Sequence, residues 1–263
     1  MAWRRAILAI VNVDVAFLPG LLQDPARHVC VVVDALRAST SLVTMVERGL
    51  AEAIISDDLD EARRLRGTLG PDVLLCGEVG GFPPEGFDYG NSPVEFQRLD
   101  LTGRRAVLFT TNGTAALARV ADAAAVLVGA LRNASAAAAA ALLEARRLEA
   151  DVAVVCAGNE TGTLFNLEDA ITAGAIVEAC FRRAPSLAPD LTLEATDAAV
   201  AARRLYGSYD AGPLYGFRTS RHGRYTLSIG FAADVAFCAE PDRSTAVPRL
   251  HRRDGHLVVT AGP

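Results

Sequence analysis

Five polar clusters, each directly after an apolar run, hold the residues best suited to chemistry. The first, Asp34-Ala35-Leu36-Arg37-Ala38-Ser39-Thr40, follows Val31-Val32-Val33 and offers a carboxylate, a guanidinium and two hydroxyls where a helical pattern begins. The second runs from Gly77-Glu78-Val79-Gly80-Gly81 to Gly86-Phe87-Asp88-Tyr89-Gly90-Asn91-Ser92-Pro93, and its glycines can turn backbone amides toward an anion. The third, Thr110-Thr111-Asn112-Gly113-Thr114, is a strand–turn–helix junction where free N–H groups and hydroxyls can receive a phosphate or sulfonate. Leu131-Arg132-Asn133-Ala134-Ser135 is the fourth, and the fifth is Cys156-Ala157-Gly158-Asn159-Glu160, leading to Asn166-Leu167-Glu168-Asp169. Each also has a plain structural reading. Ser39 or Thr40 can cap a helix, Gly and Pro make turns, and Glu168-Asp169 can fill a first helical turn, where negative charge is favoured. Together, Asp34, Glu78 and the Glu168-Asp169 pair are three separate sources of oxygen ligands, the set a hard divalent cation such as Mg²⁺ prefers.

Several familiar chemistries are excluded. The basic residues are all arginine and lysine is absent, so Schiff-base and Walker-type lysine chemistry cannot operate, and any anion held by side-chain charge is held by guanidinium or metal. An aspartyl-phosphate nucleophile needs a second Asp two residues after the first, but Leu36 stands there after Asp34. Cys30 and Cys156 are followed six positions on by Leu36 and Gly162 rather than by the Arg of a cysteine phosphatase. Gly90-Asn91-Ser92-Pro93 continues to Val94, which breaks the nucleophile-elbow pattern. The four histidines, His28, His222, His251 and His256, do not cluster and form no HExxH. A formal net charge of −5 argues against nucleic-acid and anionic-membrane partners, both of which need a basic surface.

The elements that must position these clusters read as α/β. Strands are predicted at Ala6–Val13, His28–Asp34, Glu52–Ser56, Val73–Gly77, Arg105–Thr111, Ala125–Gly129 and Val152–Ala157, with helical patterns around Leu42–Val46, Leu59–Leu69, Ala115–Val120, Ala134–Leu148 and Ala170–Phe181. The continuously apolar runs require a sheet covered on both faces, hence a three-layer α/β/α sandwich with a largely parallel or mixed sheet. Leu191–Tyr206 reads as one helix, Gly207–Gly216 as a loop and His251–Thr260 as a hairpin. Residues 1–263 read as a single domain, with the Pro185–Pro189 break as the one candidate subdivision. Met1–Val15 opens with arginines and an apolar run, but Asn12 and Asp14 interrupt it, so a strand is expected there rather than a signal peptide. Five widely spaced cysteines suit buried thiols in a reducing cytoplasm.

In this order and spacing, Asp34–Thr40, Gly77-Glu78, Gly86–Pro93, Thr110–Thr114, Asn133, Cys156–Gly158, Glu168-Asp169, Ser220-Arg221-His222-Gly223 and Asp234-Val235 resemble 2-phosphosulfolactate phosphatase over nearly the whole chain. Phe82-Pro83-Pro84 departs from that pattern and alters the loop after Gly81. The resemblance implies an α/β fold particular to the family, a magnesium requirement, and hydrolysis of the phosphate ester of 3-sulfolactate, a step of coenzyme M synthesis. On these residues Mg²⁺ is expected at Asp34, Glu78 and one or both of Glu168 and Asp169, with Asp34, Arg37 and His222 catalytic. Arg37 would neutralise phosphoryl charge and His222 would protonate the leaving alkoxide. Substrate contacts are expected from Ser39, Thr40, Asn91, Ser92, Thr111, Asn112, Gly113, Thr114 and Asn133. The expected partner is a small anionic phospho-acid, with homo-oligomers allowed. Two rival readings stand beside this one: a phosphatase of another small 2-phospho acid, and a non-catalytic small-anion-binding protein.

Overall fold

The computed structural model describes residues 9–209 and 211–262. Its strands are β1 (Ala9–Ala16), β2 (His28–Val33), β3 (Glu52–Ser56), β4 (Leu74–Gly77), β5 (Arg105–Phe109), β6 (Ala125–Val128), β7 (Asp151–Cys156), β8 (Leu191–Ala195), β9 (Arg249–Arg253) and β10 (His256–Thr260). The helices are α1 (Ala38–Glu47), α2 (Leu59–Leu69), α3 (Pro93–Phe96), α4 (Gly113–Arg119), α5 (Ala134–Leu148), α6 (Leu167–Leu187), α7 (Asp197–Gly207), α8 (Leu214–Thr219), α9 (Arg221–Ser228) and α10 (Ala232–Cys238).

All ten strands form one mixed sheet in the order β4-β5-β3-β10-β9-β6-β2-β7-β1-β8. Alternate residues of each strand enter different cores, as the two-residue period of a strand dictates. On one face Cys30, Val32, Ala153 and Val155 pack with Ala53, Ile55, Ala106 and Leu108 against α1 (Leu42, Met45), α3 (Phe96) and α4 (Ala116, Leu117). On the other face Val29, Val31, Val152 and Val154 meet α5, α6 and α7, while Ile54, Val107 and Phe109 meet α2. Helices therefore cover both faces, which bears out the three-layer α/β/α expectation.

Within this frame the strands β4, β5 and β3 run parallel to one another, as do β6, β2, β7, β1 and β8. Between the blocks sits the hairpin β9–β10, antiparallel to itself and to both flanking strands, β3 and β6. Two intervening antiparallel strands leave the blocks pointing in opposite directions. In a flat sheet the carboxyl ends of β2 and β4 would lie on opposite edges. Asp34 after β2 and Glu78 after β4 line one cavity instead, and strand residues of both blocks share one core with α1 and α4.

Two expectations need correction. The first strand is Ala9–Ala16 rather than Ala6–Val13, whose residues 6–8 lie outside the described residues. It continues through polar positions because they are paired: Asn12 bonds the Asp151 carboxylate, and Asp14 accepts the Thr196 hydroxyl at 2.5 Å. The helix expected over Leu191–Tyr206 is β8 followed by α7. Leu191, Leu193 and Ala195 alternate with exposed Thr192 and Glu194, the pattern of an edge strand, and Thr196 starts the helix by capping the Ala199 N–H. The Pro185–Pro189 stretch holds the end of α6, which runs through Pro185 to Leu187, and β8 then pairs with β1 in the main sheet.

Candidate active site

Asp34 stands at the carboxyl end of β2, where the chain turns into α1. Its Oδ1 accepts the Ala38 N–H at 3.2 Å, and its backbone N–H is fixed by Ser39 Oγ at 2.8 Å. Ser39 also donates to the Val32 carbonyl, and Thr40 Oγ1 donates to the Ala35 carbonyl. Both hydroxyls are thus spent on shaping the β2–α1 turn rather than lining the cavity. Gly113, at the start of α4, approaches so closely that a Cβ there would lie 2.9 Å from Asp34 Oδ2 and 2.5 Å from Ala38 Cβ. Only glycine lets α4 sit against the catalytic turn.

Glu78 follows β4, and its two oxygens organise the surrounding loops: Oε1 accepts the Thr111 N–H and Oε2 the Gly81 N–H, each at 2.9 Å. Gly81 adopts φ +86, which a side chain would oppose, and its carbonyl receives Arg37 Nη2 at 2.6 Å. Arg37 Nη1 donates to Asp234 at 2.8 Å, and Phe231 lies 4.0 Å from the guanidinium. Thr110 and Thr114 cap each other across the β5–α4 turn, leaving Thr111 and Asn112 facing the cavity. Asn112 Nδ2 reaches Asn159 Oδ1 at 3.2 Å, and Asn112 Oδ1 accepts the Thr161 N–H, tying this wall to the loop after β7.

The Glu168-Asp169 pair divides its duties. Asp169 accepts one backbone N–H on each oxygen, Ala35 on Oδ1 at 2.8 Å and Gly158 on Oδ2 at 3.0 Å, so it staples the β2 and β7 loops onto the first turn of α6. Burial, with Asp34 and Glu168 nearby, holds its carboxyl well above the usual range. Glu168 is wholly buried, and neither oxygen has a hydrogen-bond partner among the described residues. Its nearest cationic group is His222 of α9, whose Nδ1 lies 3.2 Å from Oε1 but out of hydrogen-bond alignment. An ionised carboxylate left this way costs several kcal/mol unless a cation or proton reaches it.

These groups enclose a cavity of about 130 Å³ lined by Asp34, Arg37, Glu78, Asn91, Thr111, Asn112, Asn159 and His222, with Tyr225 and Ile229 at its side. Burial pushes Asp34 up to about 6; protonated His222 opposes that shift, while Glu78 and Glu168 reinforce it. For His222, burial disfavours charge, but Glu168, Asp34 and Glu78 outweigh it and the imidazole is raised above 6.5. Burial drives Cys30, Cys180 and Cys238 up to about 12, and all five thiols are buried and free, which leaves none as a nucleophile near neutrality.

Of the expected contacts, Asp34, Arg37, Glu78, Asn91, Thr111, Asn112 and His222 meet at the cavity. Ser39, Thr40, Ser92, Gly113 and Thr114 shape its walls from behind. Asn133 is elsewhere in its duty: its amide is spent on Ala130, Val128 and Ala246, clasping the β6–α5 turn to the segment before β9. Sequence reasoning missed Tyr225, whose hydroxyl donates to the Gly80 carbonyl at 3.0 Å. It also gave Asp234 and Phe231 no role at the site. The strand-end rule could not find them, since all three belong to the α9–α10 region.

A sequence model of the 2-phosphosulpholactate phosphatase family matches residues 18–253. A Deinococcus radiodurans relative named probable 2-phosphosulfolactate phosphatase is 39% identical over 223 residues, 84% of this chain and 87% of its own. Relatives of the same name come from Thermotoga petrophila, at 34% identity over 84% of this chain and 88% of its own, and Carboxydothermus hydrogenoformans, at 33% over 95% and 97%. The match spans every residue lining the cavity, and the chain belongs to the 2-phosphosulpholactate phosphatase family.

Proposed function

We propose that this chain hydrolyses the phosphate ester of 2-phosphosulfolactate to 3-sulfolactate and phosphate, with Mg²⁺ as cofactor. The observation that carries the reading is the fully buried Glu168 carboxylate, which has no hydrogen-bond partner among the described residues and reaches, through His222 at 3.2 Å, a small cavity lined by Asp34, Glu78 and Arg37. Family membership and the names of the relatives supply the substrate class.

The donor set fits a hard cation. Among the described residues no three carboxylate, imidazole or thiol side chains converge into a closed metal cage. That suits Mg²⁺, which keeps several waters and takes one or two carboxylates together with substrate phosphate oxygens. Asp34 and Glu168 are the ligands of choice, with Glu78 next, since its oxygens already serve the Thr111 and Gly81 amides. Asp169, with both oxygens on backbone amides, braces this set. When bound, the cation would neutralise phosphoryl charge and orient an attacking water.

The chain's own groups do the rest. Two Arg37 N–H groups are held by Asp234 and Gly81, which leaves three of its five donors for the equatorial phosphoryl oxygens. Asn91 Oδ1, buried without a partner among the described residues, can accept from the water or the product hydroxyl. His222, with Nδ1 toward Glu168, holds the proton for the leaving alkoxide, and the Glu168, Asp34 and Glu78 carboxylates around it raise its pKa and so favour its protonated form. Thr111 and Asn112 offer polar contacts to the carboxylate or sulfonate arm.

The reading places the enzyme in the cytoplasm; no described helix is long and apolar enough to cross a membrane. A phosphate-release assay titrated with Mg²⁺ over a panel of 2-phospho acids tests it. Turnover should be greatest on 2-phosphosulfolactate and should vanish with chelator. Equal turnover of desulfonated acids would shift the substrate to another 2-phospho acid, and cation-independent binding without phosphate release would make the protein an anion sensor.

A further inference from the structure

Asp234 belongs to none of the five polar clusters and does not line the cavity, yet its two oxygens reach two walls of the site. It lies in α10 and is 2% exposed. Oδ2 accepts Arg37 Nη1 at 2.8 Å, while Oδ1 accepts Ser92 Oγ at 2.7 Å and the Val94 N–H at 3.4 Å. Phe231, the residue immediately before α10, covers the guanidinium at 4.0 Å, and the Gly81 carbonyl takes Nη2 at 2.6 Å. Arg37 is therefore held from three directions, and its plane is fixed before any ligand arrives. Ser92 is held in the same grip, and its hydroxyl also caps the Glu95 N–H at the start of α3.

A buried ion pair is weak evidence for stability, because desolvating both charges offsets most of their attraction. Its better-attested use is to set geometry. A planar guanidinium recognises phosphoryl oxygens only in a matching orientation, and small misplacements are costly. Resting on the phosphatase reading above, we infer that Asp234 is a positioning residue: it aims Arg37 at the phosphoryl group and, through Ser92, locks the Asn91–Pro93 turn beside it.

A double-mutant cycle tests this with wild type, Asp234→Asn, Arg37→Met, the double variant and Phe231→Leu. Each protein is measured for kcat and KM of phosphate release, for orthophosphate affinity by calorimetry in the presence of Mg²⁺, and for Tm. Asp234→Asn should lower kcat/KM about 10- to 100-fold with the fold intact. In the Arg37→Met background the same change should cost several-fold less in kcat/KM and orthophosphate affinity than in wild type, since the aimed group is gone and only the Ser92 hold on the Asn91–Pro93 turn remains. Phe231→Leu, which removes the other side of the clamp, should give a smaller loss in the same direction. Multiplying losses from Asp234→Asn and Arg37→Met, or wild-type kcat/KM in a folded Asp234→Asn, would overturn the inference. If Asp234→Asn fails to fold, unchanged kcat/KM in Phe231→Leu would overturn it instead. A wild type without turnover would sink the phosphatase reading alone, because the cycle is still decided by orthophosphate affinity.

Discussion

Glu168, a buried carboxylate with no hydrogen-bond partner among the described residues, is the most informative single residue of this site. Glu168→Gln keeps the shape and removes the charge, so it should cut kcat by about 10²- to 10³-fold, a typical loss for an electrostatic contact made in the transition state. The same variant should show a much smaller Mg²⁺-induced rise in Tm than wild type, measured with the substrate absent. Asp34 makes a second prediction. Its pKa of about 6 in the cation-free fold exceeds the value of 3.8 expected in the unfolded chain. The folded state therefore binds the proton more tightly, and the stabilisation is complete below pH 3.8 and lost as pH rises through about 6. In chelator, Asp34→Asn should equal wild type near pH 3.8 and exceed it at pH 8 by as much as about 3 kcal/mol in urea denaturation. If His222 is the acid as proposed, its protonated form is the active one, and wild-type kcat should fall as pH rises through its elevated pKa. His222→Gln should lose about 10²-fold or more in kcat together with that alkaline limb, read in a pH–rate profile.

At the scale of elements, the start of α4 packs directly on the β2–α1 turn. Gly113→Ala would push a methyl to 2.5 Å from Ala38 Cβ and 2.9 Å from Asp34 Oδ2, so either the helix or the turn must shift. We expect a loss of about 1–3 kcal/mol in urea denaturation and a fall in activity out of proportion to it. Much of this scale is readable from residues. The polar clusters after β2, β4, β5 and β7 marked the cavity walls because a sheet covered by helices can present polar groups only at its strand ends. The β8–α7 junction was less legible, since Leu191–Ala195 is only five residues long and half exposed, and the Thr196 cap is the one local sign that strand has given way to helix. Asp234 was legible only as part of a resemblance. Nothing in Phe231-Ala232-Ala233-Asp234 shows that its carboxylate crosses to Arg37, 197 residues away.

For the molecule as a whole, the decisive feature is the central hairpin. His251–Thr260 reads as a hairpin, but its place between β3 and β6 depends on contacts with residues roughly 120 to 200 positions earlier, which no local pattern encodes. Val258 and Val259 face different cores, so one hairpin seals both sides of the sheet. Removing residues 249–260 should abolish the cooperative thermal transition, whereas the surface change Arg252→Ala should move Tm by no more than a degree or two, as expected for an exposed ion pair. During synthesis, Asp34 and Glu78 leave the ribosome early on blocks that share no strand pairing until this hairpin emerges. A nascent chain stalled before Arg249 would thus carry every residue that lines the cavity yet lack the seam that joins its two halves.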